Sequence, residues 1–263
     1  MTKEFLNKLQ ISNLLPHREP MLLIDELHDI KKLTSATGIV NVKKDSLKNV
    51  QLILNGFIRF DYDDDILILN KPSGLLSVPG KGQHLSDCLE RRAQKSFPNA
   101  LTVHRLDMDT SGLMVMGLNK FAHRHLSLQF QNRNVGKTYF AWVYGNLKKE
   151  EGMIDLPIIC DWDNRPKQMV HFKNGKPSQT RWHVIKKNKN KNKTLVRLTP
   201  ITGRTHQLRV HMNELGHPIL GDRFYAHDEA LNMSYRLCLH ATEITVMQPI
   251  KKTKITFKAP VPF

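Results

Sequence analysis

The stretch His104-Arg105-Leu106-Asp107-Met108-Asp109-Thr110-Ser111-Gly112 constrains this chain more than any other. Two carboxylates, an arginine and a histidine crowd into one polar turn. A strand-like run, Leu113-Met114-Val115-Met116-Gly117-Leu118, follows at once. A polar turn joined directly to a strand sets an acid at a sheet edge, where loops on a rigid scaffold meet ligands. An isolated Asp in a turn more often caps a helix or bonds its own backbone. Here His104 and Arg105 offer nearby positive charge that favours an ionised Asp107. A second polar block, Thr202-Gly203-Arg204-Thr205-His206-Gln207-Leu208-Arg209, supplies further cations. Arg209 lies beside Leu208 on a helical stripe that includes Met212 and Leu215. An arginine at the edge of an apolar stripe needs a carboxylate partner. Spacing does not say which one.

The charge balance narrows the partner. Forty Lys and Arg stand against 24 Asp and Glu among 263 residues, a formal net charge of +16. An excess of this size suits a polyanion, because each cation laid on a phosphate releases a counterion. Nucleic acid is the first candidate. A membrane is not expected, since no long apolar segment or lipidation signal is present. Three widely spaced cysteines, Cys88, Cys160 and Cys238, form no Cys-x-x-Cys pair. That argues against a zinc ribbon and a disulfide scaffold, and fits a reducing, cytoplasmic setting. The N-terminus lacks the apolar core of a secretory signal.

The first 48 residues differ from the rest: they carry a net charge of +2, leaving +14 downstream. From Asn49 the pattern mixes strands and helices. Strands are expected at 65–70, 113–118, 138–144, 195–198, 237–246 and 255–257. Leu85, Cys88, Leu89 and Ala93 recur at helical spacing, with an end near Phe97-Pro98. Asn119 is placed to cap a helix carrying Phe121, Leu126, Leu128 and Phe130. Residues 186–193, alternating Lys and Asn, read as a solvated hairpin loop. A helix over 205–215 ends at Gly216, with Pro218 preventing continuation.

Several separated blocks carry a resemblance. His-Arg-Leu-Asp followed by Thr-Ser-Gly at 104–112 resembles the signature of the RluA-type RNA pseudouridine synthases. Asn70-Lys71-Pro72-Ser73-Gly74, Gly136-Lys137-Thr138-Tyr139, residues 200–211 and residues 216–222 resemble that family's other motifs. The resemblance runs from about Phe60 to Phe263. Residues 159–168 and 222–226 are similar to its dual-specificity members. Separately, residues 11–46, with Leu14-Leu15-Pro16-His17-Arg18-Glu19-Pro20 at their start, resemble the opening of a hotdog-fold acyl-carrier-protein dehydratase. That family's catalytic segment is missing, so the stretch reads as a truncated fragment. Expected domains are thus an appendage, 1–48, and a catalytic domain, 49–263.

The resemblance implies an α+β pseudouridine synthase fold: a mixed, mainly antiparallel central sheet flanked by helices, with a catalytic cleft across it. It implies Asp107 as the catalytic aspartate, acting at the sugar of a loop uridine. Tyr139 would stack on the base, and Arg209 would pair with Asp107. Arg105 would enter the gap left by the flipped uridine, and Leu208 would wall the pocket. His104 and Arg204 join them as RNA-contacting residues. The expected substrate is a stem-loop of tRNA, of 23S ribosomal RNA, or of both, bound by a monomer. The isomerisation imports no group and changes no oxidation state, so no cofactor or metal is expected. His206 and His211 are five apart, and His123 and His125 two apart; neither spacing is that of a helical zinc protease. Gly136-Lys137-Thr138 lacks the earlier glycine of a phosphate-binding loop, because Gln131 stands there. Two alternatives are a non-catalytic RNA-binding protein on the same scaffold and a lipid-related enzyme. Loss of Asp107, Tyr139 or Arg209 would mark the first, and a complete dehydratase motif would mark the second.

Overall fold

The computed structural model describes residues 6–7, 26–31, 35–39, 52–54 and 57–263, with side chains from Asp63 onward. The chain divides into two compact units, Met1–Leu52 and Ile53–Phe263. In the first, strands β1 (Leu6–Asn7), β2 (Glu26–Lys31) and β3 (Ser35–Ile39) form an antiparallel sheet. The Leu14–Pro20 segment that carries the dehydratase resemblance lies outside the described residues.

The second unit is built on one large sheet. Its strands include β4 (Leu52–Leu54), β5 (Phe57–Tyr62), β6 (Ile66–Lys71), β7 (Leu101–Thr102) and β8 (Ser111–Gly117). They continue with β9 (Gly136–Tyr144), β10 (Glu151–Asp155), β13 (Gln179–Asn188), β14 (Lys193–Pro200), β15 (Leu239–Met247) and β16 (Lys254–Lys258). Between β10 and β13 a small hairpin, β11 (Ile158–Cys160) and β12 (Gln168–Val170), stands apart. The main order is β10-β13-β14-β9-β15-β8-β6-β5-β4, with β16 on β15 and β7 on β8. The fold is α+β, and, the isolated parallel bridge of Leu76 with Cys88 aside, every described strand ladder is antiparallel except one. Beside β15, β8 runs parallel through only two residue pairs, His240 with Ser111 and Ala241 with Gly112.

Gly112 makes that seam possible. Its φ is +119°, and a Cβ there would collide with the Ala241 backbone. Only a residue without a Cβ tolerates both demands. Adjacent residues of a strand point to opposite faces. Tyr139, paired with Ala241, therefore occupies one face, and Ser111 and His240 the other. Apolar residues fill both sides: Leu67, Leu69, Met114 and Met116 on Tyr139's side, and Ile66, Ile68, Leu113 and Val115 on the other.

Four helices flank the sheet among the described residues: α1 (Leu89–Gln94), α2 (Lys120–Gln131), α3 (Gln207–Glu214) and α4 (Asp228–Asn232). Asn119 caps α2 as expected, its side-chain oxygen accepting from the Ala122 amide at 2.8 Å. Leu85 is not part of α1. It closes a preceding 3₁₀ turn, and α1 begins only after Cys88, whose sulfur caps it. The lysine-rich loop is also shorter than expected. Strands β13 and β14 extend to Asn188 and from Lys193, because their inward residues still find cross-strand partners. The turn closes through Asn192 at φ +42°. Among the described residues no helix is long and apolar enough to cross a membrane.

Candidate active site

The Asp107 turn is clamped by the loop that follows β6. Ser77 holds both backbone groups of Leu106: its hydroxyl donates to the carbonyl at 2.6 Å and accepts from the amide at 3.0 Å. The Gly74 amide donates to the Met108 carbonyl at 2.9 Å, and the Ser73 hydroxyl to the Asp109 carbonyl at 2.6 Å. Lys71 is fully buried, and its ammonium donates to the carbonyls of Pro72, Leu75 and Met108 at 2.7–2.9 Å. Three acceptors match its three N–H bonds. Burial pulls its pKa down to about 7, although the charges of Asp107 and Asp109 act to raise it. The turn closes on itself where the Thr110 amide donates to the Asp107 carbonyl.

The Asp107 side chain remains partly exposed, at 26%, over a buried cation. Arg209 comes from α3 and is 1% exposed, with its Nη1 3.6 Å from the Asp107 carboxylate. Its closest partner is Asp222, also 1% exposed, which it grips with two parallel bonds of 2.8 and 2.7 Å. The expected Arg209–Asp107 pair is thus one side of a three-residue arrangement. Asp222 fixes the guanidinium, and Asp107 receives its remaining face. Burial acts to lower the Arg209 pKa, but the Asp222 hydrogen bonds and charge outweigh it, and the group stays charged. The guanidinium also lies near the rings of Phe224 and Tyr225, 5.1 and 5.3 Å from their centres.

His206 joins the group through an unusual backbone. It precedes α3 at φ +54°, a conformation that side chains with a Cβ seldom adopt and that clusters at functional sites. The Gln207 side chain braces the loop, accepting from the Thr202 hydroxyl and the Arg204 amide and donating to the Gln179 carbonyl. Burial holds His206 below the ordinary imidazole range against the upward pull of Asp107. Its Nδ1 meets the Tyr225 hydroxyl at 2.7 Å, and that oxygen accepts from the Gln168 amide at 2.8 Å. The other ring nitrogen, Nε2, lies 3.9 Å from the Asp107 carboxylate.

Tyr139 stands on β9 beside the same core. Burial, and after it the Asp107 charge, push its hydroxyl above the ordinary phenol range, so it stays protonated. Leu208 is buried in the cluster that includes Ala141, Val143 and Met212, against which Tyr139 packs. Arg105 is exposed. Arg204 is half-buried, and its Nε has no hydrogen-bond partner among the described residues. His104 is oriented differently. Its ring stacks on Phe130 at 4.4 Å, and its Nε2 accepts from the Val115 amide at 3.0 Å. Burial and the nearby Lys137 drop its pKa to about 3, so it carries no charge toward a phosphate at neutral pH.

Sequence reasoning passed over Lys71, Ser77, Asp222 and Tyr225 as working parts. The signal for Asp222 was present in the rule that a buried arginine needs a carboxylate. A pairing across a helix and a loop cannot be ranked from spacing when two acids are available.

Comparison with known proteins points one way. Residues 65–214 match the family model for RNA pseudouridylate synthase. The chain is 52% identical over 201 residues to the dual-specificity RNA pseudouridine synthase RluA of Yersinia pestis, covering 76% of this chain and 97% of that protein. It is 53% identical to RluA of Escherichia coli K12, covering 76% and 91%. Among solved structures it is similar to human RNA pseudouridylate synthase domain containing 1, with a TM-score of 0.68 and 28% identity, covering 81% of this chain and 86% of that one. A carboxylate poised over a buried arginine thus sits in a chain that belongs to the RNA pseudouridylate synthase family of isomerases.

Proposed function

We propose that this protein converts loop uridines of structured RNA to pseudouridine, with Asp107 acting at the ribose. The observation that carries the reading is the Asp107 carboxylate, open on one side and 3.6 Å from a guanidinium that Asp222 holds rigid. In the reaction the bond from the sugar carbon to N1 of uracil breaks, the base turns, and C5 bonds to that same carbon. C5 then loses its proton and N1 gains one, so atoms and charge balance. A carboxylate suits the first step because positive character develops on the sugar, whether the oxygen stabilises it or bonds to it. Arg209 holds that carboxylate aimed without taking its outer oxygen out of play. Tyr139, protonated and beside the acid, offers a flat wall for the extruded base and a hydroxyl near the moving protons. Leu208 lends an apolar surface behind it.

The substrate class follows from charge and from the relatives. A net +16 favours a phosphate backbone, and both RluA relatives are named as dual-specificity RNA enzymes. A tRNA anticodon stem-loop and a loop of 23S ribosomal RNA are the substrates that reading puts forward. A loop uridine is cheaper to extrude than a paired one. Arg105, exposed and beside the acid, is the side chain proposed to fill the vacated stack, and Arg204 a backbone contact. Residues 1–48 are proposed as an appendage outside the chemistry.

Asp107→Asn tests the assignment. Pseudouridine formation in a stem-loop RNA, followed by mass spectrometry or tritium release, should fall by about three orders of magnitude or more. RNA affinity should stay within a few-fold, because the phosphate contacts remain. Undiminished turnover in this variant removes the proposal. Deletion of residues 1–48 should leave turnover unchanged, and loss of activity in a folded deletion would place that segment in the site.

A further inference from the structure

At the same end of the sheet, on the face opposite Tyr139, lies a cavity of about 760 Å³. Asn70, Ser111, Arg223, Tyr235, Arg236 and His240 help line it. Its central cation is Arg236, half-buried, with no carboxylate in ion-pair distance among the described residues. Neutral groups hold it instead. Its Nη2 donates to the Ser111 hydroxyl at 2.5 Å, and its Nε to the Leu237 carbonyl at 3.3 Å. Ser111 in turn lies 2.8 Å from His240 Nδ1. Burial, and after it Arg236, pull the His240 pKa down to about 4, so the ring is neutral. Ser111 accepts from Arg236 and also reaches the Leu239 carbonyl at 3.5 Å, and the far nitrogen of the His240 ring is Nε2. That Nε2 has no partner, although His240 is only 1% exposed, and the Asn70 side-chain oxygen is likewise unpaired. At the rim Tyr235 is 97% exposed, a flat ring covered by nothing among the described residues. The one acid of the wall, Asp109, is already neutralised by Arg223 at 2.8 Å.

A guanidinium pinned by a hydroxyl and a carbonyl keeps its charge for something from outside. We infer that this cavity is a second RNA subsite, in which Arg236 binds one phosphodiester of the substrate strand and Tyr235 stacks on the adjoining base. The inference rests on the RNA-modifying reading and adds a contact on the sheet face opposite Tyr139. Stacking on an exposed tyrosine beside a cation is the usual arrangement for holding a nucleotide without reading its identity. Ser111 and His240 act as positioning residues, because they touch Arg236 or its holder rather than the strand.

The test measures stem-loop RNA binding to the full chain by fluorescence anisotropy across a salt series. Arg236→Gln should weaken binding by about tenfold and lower the slope of log Kd against log salt by about one, the signature of a single lost phosphate contact. Tyr235→Ala, at a site too exposed to affect folding, should weaken binding by about fivefold and leave the slope unchanged, as a lost stack does. Unaltered affinity and slope in a folded Arg236→Gln overturn the subsite. If that variant melts early by circular dichroism, Tyr235→Ala decides alone, and unchanged affinity there overturns the subsite. Uridine 5′-monophosphate that binds at Arg236 without competing with the stem-loop overturns the assignment to the RNA strand. The two readings separate through the wild type. Absence of pseudouridine formation with an Arg236-dependent salt slope sinks the chemistry and keeps the subsite; normal turnover with no Arg236 effect does the reverse.

Discussion

The two faces of the sheet at its Asp107 end treat an arginine in opposite ways. On Tyr139's face Arg209 is gripped by Asp222 through two short bonds and shares its remaining charge with Asp107. On the other face Arg236 is held by the Ser111 hydroxyl and a carbonyl, with no carboxylate in ion-pair distance among the described residues. A guanidinium spent on a protein carboxylate becomes a rigid part that shapes and aims another group. One held by neutral atoms is equally well placed, yet its charge is uncompensated. The first arrangement belongs to chemistry, where geometry must not drift. The second belongs to binding, where the partner supplies the countercharge.

The comparison can be broken at its seam. Gly112→Ala drives a methyl into the Ala241 backbone at a positive φ, where both faces depend on the same two residue pairs. The variant should lose about 4 kcal/mol or more and fail to accumulate as folded protein. A thermal melt close to wild type would contradict the seam as described. The contrast between the arginines comes next. Asp222→Ala strands a buried guanidinium and should cost about 3–5 kcal/mol in urea unfolding, with single-turnover rates falling as Asp107 draws Arg209 toward itself. Ser111→Ala removes only a neutral hydrogen-bonding group and should cost about 1 kcal/mol. Equal costs would erase the distinction. The smallest effect is a pH slope. Lys71 has a folded pKa of about 7 against 10.5 for the free side chain. Between those values the unfolded chain keeps a proton that the folded one has released, so this group adds stability as pH rises through the window and adds none below it. Lys71→Met should remove that slope, and also cost about 1–3 kcal/mol for the carbonyls left without a donor. Identical Tm-against-pH profiles would show that Lys71 titrates normally.

Local signals in the chain translated into structure where the physics was local. Asn119 announces the start of α2 because a side-chain cap depends on residues three apart. Gly216, at φ +83°, ends the helix it was expected to end. Leu85 fits a helical period with Leu89 but falls in a different turn, since periodicity cannot register where a cap interrupts it. The strands around the lysine-rich tip outlast their apolar pattern because ladder pairing, a long-range property, decides where they end. The same division runs through the site. Asp107 and Tyr139 were legible as motif residues, and Arg209 as an arginine in want of an acid. That Asp222 takes the tight bonds is a fact of tertiary packing. So is the burial of the His104 ring against Phe130, which a basic cluster in one dimension hides.

The parallel junction between β8 and β15 has one more implication. Asp107 enters from the strand system on one side of it, whereas Tyr139, Arg209 and Asp222 belong to elements on the other. Neither half of the sheet owns a working centre. On the reading proposed above, chemistry begins only when the two have closed on each other, so a partly folded chain cannot act on RNA it happens to hold, and turnover doubles as a report that assembly is complete.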